Sequence, residues 1–517
     1  MLINISCAKC IGIDAVPVIV EVNISSGLGI HLVGLADAAV KESLLRTITA
    51  LQSMGFRVPG KKIVINLAPA DMHKKGSGYD VPIALGIIAA SGQRELPLLE
   101  KFLVMGELGL DGGVRDIPGA LPIVELADRE GLDGCILPLA SALEAVEYGG
   151  LDVYGVETLE DVLRILSDQE DCSSLLVRNR VPAGPSSASS PSVENSYMDF
   201  SEIIGQEAAK RGLEIAAAGS HNAILIGTPG SGKSSLAKAM AGILPPMSHG
   251  ESLQTSKIYS VAGKGSPSGG LMRLRPFRSP HYSASMAALL GGGTDNIMPG
   301  EISLAHNGVL FMDEFCETPK KIMEALRAPM EDRKVTISRL KSKVEYPADF
   351  MLIAATNPCP CGYYGEGDRC TCTPSKRLAY ISKLSGPIMD RIDIQLVVSR
   401  VDARRLVNKR PSESSAAVAS RVLKAREIQK ARFVDEGIFC NSAMNNRQIE
   451  KYCPLSAECS MLLERIIDRM GLSARACSRI IKLSRTIADL AGVADILPEH
   501  ISEAASYRFL DRQNIFE

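Results

Sequence analysis

Tryptophan is absent from this sequence, and aromatic residues make up only 4% of its 517 positions. An excess of charge of either sign is also absent, because 57 lysines and arginines balance 59 aspartates and glutamates to a net charge of −2. A chain without global positive charge has no general affinity for nucleic acid. Any nucleic-acid partner must therefore contact a local basic patch.

Long hydrophobic runs are missing too. No apolar run approaches the length of about 18 residues that spans a bilayer, and Met1 does not begin a basic-then-apolar signal peptide. The 13 cysteines do not follow the spacing of a secreted disulfide framework, and four of them fall within 359–372. We therefore expect a cytoplasmic protein with reduced thiols and no membrane partner.

The composition that is present, 46% apolar and 22% charged, is typical of globular domains. Residues 1–170 alternate short β-branched runs with segments of helical periodicity, which predicts an α/β domain. Residues 171–198 are predicted to form a flexible linker, because proline, serine and alanine dominate from residue 181 onward. Helical periodicity from 401 to 517 predicts a helical C-terminal region.

The segment that organises the chain matches the pattern G-x-x-x-x-G-K-[ST] in full, through Gly227, Thr228, Pro229, Gly230, Ser231, Gly232, Lys233 and Ser234. An apolar run at 223–226 precedes it and a helical segment from Ser235 follows, and this context predicts a phosphate-binding loop for ATP. Backbone N–H groups from Gly227 to Ser235 are predicted to cradle the phosphates. Lys233 is predicted to reach the β- and γ-phosphates, and Ser234 to ligate Mg²⁺. The alternative, an ordinary glycine-rich turn, is disfavoured by the flanking strand and helix.

A second apolar run, 308–312, ends in Asp313 and Glu314. Ligands of open α/β sheets bind at the carboxyl ends of the strands. Asp313 is therefore predicted to hold Mg²⁺, and Glu314 to orient and deprotonate the attacking water. Without the lysine loop, a solvated acidic pair at a strand end would be an equal alternative.

A third apolar run, 350–356, ends in Asn357, whose amide can position water near the γ-phosphate. Further along, Arg391 lies among short turn residues at 385–393. From these residues alone, a surface salt bridge of Arg391 with Asp390 or Asp393 is the favoured interpretation.

The order of the lysine loop, the acidic strand end, the asparagine and Asp-Arg-Ile-Asp resembles the AAA+ ATPases, and most closely their magnesium-chelatase-like branch. The resemblance implies that Asn357 is the sensor-1 residue and that Arg391 is an arginine finger donated to the neighbouring subunit's ATP. It also implies that Arg475 is the sensor-2 arginine of a helical lid. An arginine finger neutralises charge on the transferred phosphoryl group and requires an oligomer, most often a hexamer in this superfamily.

Residues 74–84, 106–115 and 118–121 resemble the protease-like domain of Lon and of the bacterial DNA-repair ATPase RadA. Lon has its nucleophilic serine where Tyr79 and Asp80 stand here, and Pro122 follows the segment where Lon has its lysine base. Serine–lysine chemistry requires both groups. We therefore predict a non-proteolytic domain with a scaffold or DNA-binding role, although Ser77 lies close in sequence.

The whole chain resembles the YifB/ComM family. Its predicted fold is multidomain α/β, with a Lon-like α/β N-terminal domain (1–170), an AAA+ P-loop α/β core (199–400) and a helical C-terminal lid (401–517). The resemblance implies a hexameric, ATP-hydrolysing DNA helicase that promotes branch migration on single-stranded or branched DNA during natural transformation. We keep two alternatives: a protein-remodelling or metal-chelatase-like ATPase, and a non-catalytic DNA-binding ring.

Four cysteines follow the predicted sensor-1 residue, namely Cys359, Cys361, Cys370 and Cys372. Four thiolates in one loop can form a closed tetrahedral site, and we predict structural Zn²⁺. The spacing of one residue within each pair is tighter than usual for zinc, and the alternative is a set of unligated thiols.

Two stretches are candidate DNA contacts. The alternating basic segment 333–344, which contains Lys341 and Lys343, predicts a β-hairpin that can face the pore of a ring and track a phosphate backbone. A solvated charged hairpin is an equal alternative. A second cluster, Arg273, Arg275 and Arg278, lies in the glycine-rich insertion 260–293.

Overall fold

The computed structural model describes residues 2–35, 37–74, 76–180, 197–265, 269–293, 297–339, 342–384, 386–401 and 412–511. Most of the predicted linker therefore lies outside the described residues. Every helix within these ranges is too short or too polar to cross a bilayer.

The N-terminal domain is built on a seven-stranded mixed sheet in the order β3-β4-β2-β1-β5-β8-β9. Strands with one buried face alternate in burial, as β4 does, whereas β8 is buried along its whole length. The small pair β6–β7 stands beside the sheet. The strands are β1 (Leu2–Ile11), β2 (Asp14–Ser25), β3 (Ile30–Val33), β4 (Lys62–Ala68), β5 (Phe102–Val104), β6 (Glu107–Leu108), β7 (Val114–Arg115), β8 (Gly134–Pro138) and β9 (Asp152–Val156).

Helices cover this sheet, and their ends follow ordinary capping chemistry. Asp37 accepts from the Val40 N–H at the start of α1, and Thr158 and Asp161 form a capping box at α5. The helices are α1 (Ala38–Ser53), α2 (Asp80–Ala90), α3 (Ala120–Arg129), α4 (Leu139–Leu143), α5 (Leu159–Ser167) and α6 (Val177–Arg180). Leu175 and Val177 belong to the same core, so the chain is packed on this domain as far as α6.

The second domain contains a five-stranded sheet in the order β11-β14-β17-β10-β18. All of its neighbouring strands are parallel, and the central strands are buried on both faces, as their continuous apolar sequences predict. Two hairpins, β12–β13 and β15–β16, lie outside it. The strands are β10 (Ala223–Gly227), β11 (Phe277–Arg278), β12 (Gly291–Gly292), β13 (Met298–Pro299), β14 (Val309–Met312), β15 (Lys334–Arg339), β16 (Ser342–Pro347), β17 (Met351–Thr356) and β18 (Ile394–Val398).

The helices of this domain either flank the sheet or connect it to the N-terminal domain. They are α7 (Glu207–Gly219), α8 (Lys233–Ala241), α9 (His249–Val261), α10 (Met286–Leu290), α11 (Glu301–Leu304), α12 (Lys320–Ala325), α13 (Arg327–Asp332), α14 (Pro374–Ile381) and α15 (Gly386–Met389). In α9, Lys257 Nζ donates to Glu125 (2.6 Å) and Asp14 (3.1 Å) of the N-terminal domain. The N–H of Gly119 donates to Ser260 O at 3.0 Å, so α9 joins the two domains.

The C-terminal region is helical, as the periodicity predicts. Its helices are α16 (Ser415–Arg432), α17 (Asn446–Tyr452), α18 (Ala457–Met470), α19 (Ala474–Ala491) and α20 (Pro498–Ser506). The short helix α17 begins at an Asn445–Gln448 capping box. Buried side chains such as Val422, Leu483 and Ile501 share one core with α7 and β10, so this region packs on one face of the five-stranded sheet.

Candidate nucleotide-binding site

The glycine-rich loop connects the carboxyl end of β10 to the start of α8. β10 is buried at all five positions, and the loop turns because Gly230 (φ 76°) and Gly232 (φ 94°) adopt left-handed backbone conformations. Thr228 and Ser231 are buried, whereas Pro229 and Gly230 are exposed at the outer side of the loop. The first turn of α8 contains Lys233, Ser234 and Ser235, so the helix N-terminus faces the loop.

Lys233 is held on the inner side of this loop. Its Nζ donates to the carbonyl groups of Gly227 (2.7 Å) and Thr228 (3.0 Å). Burial lowers the pKa of Lys233, and the nearby carboxylates of Asp313 and Glu314 only partly oppose this effect. A phosphate group in contact with Nζ would favour the charged ammonium in the same way that these carboxylates do.

The acidic pair follows β14 at the same sheet edge. Ser234 Oγ donates to Asp313 Oδ2 at 2.9 Å, so the two predicted Mg²⁺ ligands are in direct contact. The Glu314 N–H donates to Asp313 Oδ1 at 2.9 Å. Glu314 is exposed and adopts a left-handed backbone (φ 49°), which turns the chain sharply after the strand. A strained non-glycine residue at a strand end is a feature of functional sites.

Asn357 follows the next strand, β17, and completes this group. Lys233 Nζ donates to Asn357 Oδ1 at 3.3 Å. The tertiary structure therefore brings Lys233, Ser234, Asp313, Glu314 and Asn357 together at the carboxyl edge of the parallel sheet, where ligands of open α/β sheets bind. Oxygen ligands, an ammonium and helix N–H groups of this kind fit a magnesium–nucleotide phosphate.

Arg391 does not belong to this group of residues around Lys233. Its Nη1 donates to Pro387 O at 2.7 Å, and its Nη2 forms an ion pair with Glu331. The partner is thus Glu331 of α13 rather than Asp390 or Asp393, which the local sequence favoured. The side chain is only 11% exposed.

Arg475 is beside Arg391 and not beside Lys233 of its own chain. It occupies the first turn of α19, where its Nη1 lies 3.8 Å from Asp390 Oδ2. Its side chain is 72% exposed, which leaves the guanidinium accessible to another molecule. The two predicted arginines therefore form a second group.

The two groups lie at opposite ends of the strands: Lys233 follows the carboxyl end of β10, and Arg391 precedes the amino end of β18. β10 and β18 run parallel with Ala223 opposite Ile394 and Gly227 opposite Val398, and Arg391 precedes Ile394 by three residues. A strand of five residues spans roughly 16 Å at about 3.3 Å per residue. An arginine side chain cannot cover that distance, so Arg391 does not reach the phosphate-binding loop of its own chain.

The four cysteines between β17 and α14 converge. All are free thiols, and their sulfur atoms lie within 4.8 Å of one another. The Cys359–Cys370 and Cys361–Cys370 sulfurs are 3.8 and 3.7 Å apart, and Cys359–Cys361 are 3.3 Å apart. Sulfurs bound tetrahedrally to zinc at about 2.3 Å are separated by about 3.8 Å. The backbone N–H of Tyr363 lowers the pKa of Cys361 to about 6, which favours a thiolate ligand. The donor set therefore fits Zn²⁺.

The predicted basic hairpin is present as β15–β16, with Arg339 opposite Ser342 at its described end. Val335, Ile337, Val344 and Tyr346 are buried on one face of the hairpin, and Lys343 is exposed on the other. Arg339 continues the buried face and is exposed at the described end of β15. Lys341 lies outside the described residues. The neighbouring hairpin β12–β13 packs alongside, since Tyr346 donates to Ile297 O at 2.7 Å.

The predicted arginine cluster of the insertion is not a free basic patch. Arg273 pairs with Glu147 (2.5 Å), Arg275 with Glu251 (2.9 Å), and Arg278 with Glu301 through two contacts of 2.6 and 2.8 Å. Each guanidinium is therefore neutralised by a carboxylate within the chain. The insertion therefore offers less unpaired positive charge than its sequence suggests, and its contact with DNA stays a prediction.

In the Lon-like domain, the residues at and near the position of the Lon nucleophile make contacts within the domain. Ser77 Oγ donates to the carboxylate of Glu107, and Tyr79 donates to Ala8 O at 3.1 Å. Asp80 is buried and accepts from Arg46 Nε at 3.1 Å. These contacts stabilise the domain, and the non-proteolytic role remains a prediction.

Two acidic residues contact predicted site residues but were not identified from the sequence. Glu331 contacts Arg391, and Glu366 Oε1 accepts from Thr228 Oγ in the phosphate-binding loop at 2.8 Å. Glu331 lies 60 residues from its partner and Glu366 lies 138 from its own, so no local pattern indicates either contact.

Comparison with known proteins agrees with this architecture. The family models "Magnesium chelatase, subunit ChlI", "Subunit ChlI of Mg-chelatase" and "Magnesium chelatase, subunit ChlI C-terminal" match residues 199–406, 20–141 and 412–508. YifB of Salmonella typhimurium is 41% identical over 505 residues, covering 97% of this chain and 96% of YifB. The competence protein ComM of Haemophilus influenzae is 40% identical over 506 residues, with 97% and 96% coverage.

The N-terminal domain has a more distant relative. The archaeal Lon protease of Methanocaldococcus jannaschii is 27% identical over 149 residues, which are 29% of this chain and 23% of the protease. The YifB and ComM matches extend over nearly the full length of both partners, whereas the Lon match is confined to part of the chain. The chain therefore belongs to the YifB/ComM family of magnesium-chelatase-like AAA+ proteins with a Lon-like N-terminal domain.

Proposed function

We propose that this protein is an ATP-hydrolysing AAA+ motor that forms a ring and acts on DNA, as a branch-migration helicase of the ComM type. The observation that carries the proposal is the separation of Arg391 from Lys233 across the sheet. A site divided in this way is complete only when one copy supplies the phosphate-binding loop and the next copy supplies the arginines.

The chemistry follows from the group at the carboxyl edge of the sheet. Lys233 and the loop N–H groups would bind the β- and γ-phosphates, and Ser234 and Asp313 would hold Mg²⁺. Glu314 would accept a proton from the attacking water, and Asn357 would orient that water. Binding and orientation of this kind account for most of the rate enhancement in phosphoryl transfer.

The ring follows from the second group. Arg391 and the exposed Arg475 lie together on one side of the chain, so one interface would bring both to a neighbour's γ-phosphate. Such a head-to-tail contact between identical chains closes into a ring when the rotation permits. A homohexamer is the state most often found in this superfamily, and we propose it here.

DNA is the proposed partner for two reasons. A full-length relative is named as a competence protein, and the hairpin β15–β16 presents Lys343 on its exposed face and Arg339 at its described end. Exposed cations on a hairpin can follow a phosphate backbone without reading sequence. ATP-driven displacement of such hairpins in a ring would move single-stranded or branched DNA. A role in natural transformation is part of the same proposal.

A second candidate function is protein remodelling or metal insertion. It is favoured by the family models, which are named after a magnesium chelatase subunit. In that function the ring would hydrolyse ATP in response to a protein partner and not to DNA. A non-catalytic DNA-binding ring is the third candidate, and it would bind both ligands without turnover.

One experiment separates the three functions. ATP turnover of the purified chain would be measured alone, with forked DNA, and with single-stranded DNA, beside displacement of a labelled strand from a branched substrate. Stimulated turnover with displacement supports the motor. ATP turnover that does not change when DNA is added supports protein remodelling or metal insertion. DNA binding without ATP turnover supports the non-catalytic ring.

A further inference from the structure

We propose that the four-cysteine loop holds the phosphate-binding loop in its ATP-binding conformation when its thiolates bind a metal, and that Glu366 transmits this effect to Thr228. Glu366 is thus a positioning residue. The inference deepens the proposed function, because it presupposes that Lys233 and its loop bind nucleotide.

The cysteine loop is in direct contact with the phosphate-binding loop. Thr228 Oγ donates to Glu366 Oε1 at 2.8 Å. A Cβ built on Gly362 would lie 2.9 Å from the ring of Pro229, so only glycine permits this close approach. Gly362 also adopts a left-handed backbone (φ 85°). Two consecutive residues of the phosphate-binding loop therefore touch the segment between the first and second cysteine pairs.

The position of Glu366 is itself fixed by cations. Arg369 Nη1 lies 3.0 Å, and Arg400 Nη1 3.7 Å, from Glu366 Oε2. Arg369 belongs to the cysteine loop itself, and Arg400 lies just after β18. The Thr228 hydroxyl and the two arginines keep the pKa of Glu366 below its usual range, so the group that accepts the hydrogen bond is a carboxylate.

A bound metal would make this loop rigid. Residues 363, 365, 367 and 368 are exposed or partly exposed, and the short turn Gly367–Arg369 has no buried residue. Arg377 of α14 stabilises one end of the loop, because it donates to Cys372 O at 3.1 Å and stacks on Tyr364. The four sulfur atoms lie within 4.8 Å of one another and are not joined by disulfides, so a bound cation would tie the two cysteine pairs together. Metal binding would therefore close the loop and hold Glu366 against Thr228.

The same loop begins at Asn357, the predicted sensor-1 residue. Cys359 is buried two positions after Asn357, and the Gly362 N–H donates to Cys359 O at 2.9 Å. Asn357 in turn accepts from Lys233. A metal at the cysteines therefore restrains both sides of the phosphate site, through Asn357 on one side and Thr228 on the other.

The test is a double-mutant cycle on nucleotide affinity, measured with a fluorescent ATP analogue and without DNA. Glu366→Ala and Thr228→Val each remove one partner of the hydrogen bond and are expected to weaken binding about tenfold. The double variant should be no weaker than either single variant. Glu366→Gln keeps an acceptor and should retain most of the affinity, and Thr228→Ser keeps the hydroxyl donor and should lose less affinity than Thr228→Val.

Nucleotide affinity and zinc content are then measured together on samples with and without the metal. Removal of zinc by a chelator, or Cys370→Ser, is expected to weaken nucleotide binding of the otherwise unmodified chain about tenfold. The same treatment should weaken binding by Glu366→Ala clearly less, because the route through Thr228 is already lost and only the route through Asn357 remains. Cys477→Ser, which changes a distant thiol, is the control. Circular dichroism and thermal unfolding show whether each variant is folded, and the chelator arm needs no variant at all.

The outcomes separate this inference from the proposed function. Unchanged affinity in Glu366→Ala, or in zinc-free unmodified protein, would overturn the coupling. A chain that contains no zinc when purified without chelators would overturn it as well. If the unmodified chain binds no nucleotide, the proposed function itself is wrong.

Discussion

Lys233 lies at the carboxyl end and Arg391 at the amino end of neighbouring strands in one parallel sheet. Each side chain is held by carbonyl or carboxylate groups of its own chain. Because β10 and β18 are paired along their whole length, no side-chain rotation brings the two residues together. The sites that hydrolyse ATP should therefore contain residues of two chains.

Mixing two inactive variants tests this arrangement. We expect Lys233→Ala to abolish ATP binding and Arg391→Ala to reduce turnover by about 10³-fold or more while preserving ATP binding. In an equimolar mixture of random rings, about a quarter of the interfaces combine an intact loop with an intact finger, so part of the activity should return. A mixture as inactive as its components would contradict shared sites, and Arg391→Lys should not restore turnover because a lysine lacks the planar fork.

Glu314→Gln should separate binding from hydrolysis. The amide keeps the size and the sharp turn after β14 but cannot accept the proton of water, so we expect turnover to fall by about 10²- to 10⁴-fold with unchanged ATP affinity. Glu317→Gln is the matched control, because it makes the same change on an exposed carboxylate three residues away. Equal turnover in both variants would contradict the role of Glu314.

Lys343→Glu should weaken DNA binding without weakening ATP binding. The side chain is exposed on the hairpin β15–β16, which lies outside the five-stranded sheet that carries the phosphate site. Loss of one phosphate contact should also make the dependence of affinity on salt less steep by about one unit. Lys320→Glu, which reverses a lysine that is 76% exposed on α12, is the control. Equal losses in DNA and ATP affinity would count against the hairpin.

The cysteine cluster should yield one equivalent of zinc per chain. Elemental analysis of protein purified without chelators measures this directly. Cys361→Ser should lose the metal, because the thiolate favoured by the Tyr363 N–H is replaced by a poor ligand. Cys135→Ser, a change of a buried thiol outside the cluster, should retain it.

Acid should destabilise the contact between β18 and α19. Burial alone would raise the pKa of Asp393, but Arg479 and His221 outweigh this effect and hold that pKa well below its usual range. A lowered pKa means that the stabilisation is complete above the unfolded-state pKa of about 4 and is lost as the pH falls below it.

The corresponding variant is Asp393→Asn. It leaves Arg479 without its charge partner, and we expect a loss of about 3 kcal/mol at pH 7, seen as a lower midpoint of thermal unfolding. This loss should shrink as the pH falls. Asp133→Asn, on an exposed pair with Lys101, should have little effect at any pH. A loss independent of pH would contradict the electrostatic explanation.

The sequence by itself determined the local parts of the site. A buried strand is apolar and the residues that follow it are not, so the sequence alone predicts where each strand ends. It therefore predicts the glycine pattern from Gly227 to Ser234, the acidic end of β14 and the polar end of β17. The helices of the C-terminal region are readable from their periodicity for the same reason. The hairpin β15–β16 is readable because one of its faces is buried and the other is charged.

Only the tertiary structure decided which of these parts meet. Sequence patterns describe neighbours along the chain, whereas ion pairs form between residues that the fold brings together from a distance. The pairing of Arg391 with Glu331, the position of Arg475 beside Asp390, and the neutralisation of Arg273, Arg275 and Arg278 all depend on partners supplied by other elements. The contact of Glu366 with Thr228 belongs to the same class, because a carboxylate in a charged loop has no periodicity that would indicate its partner.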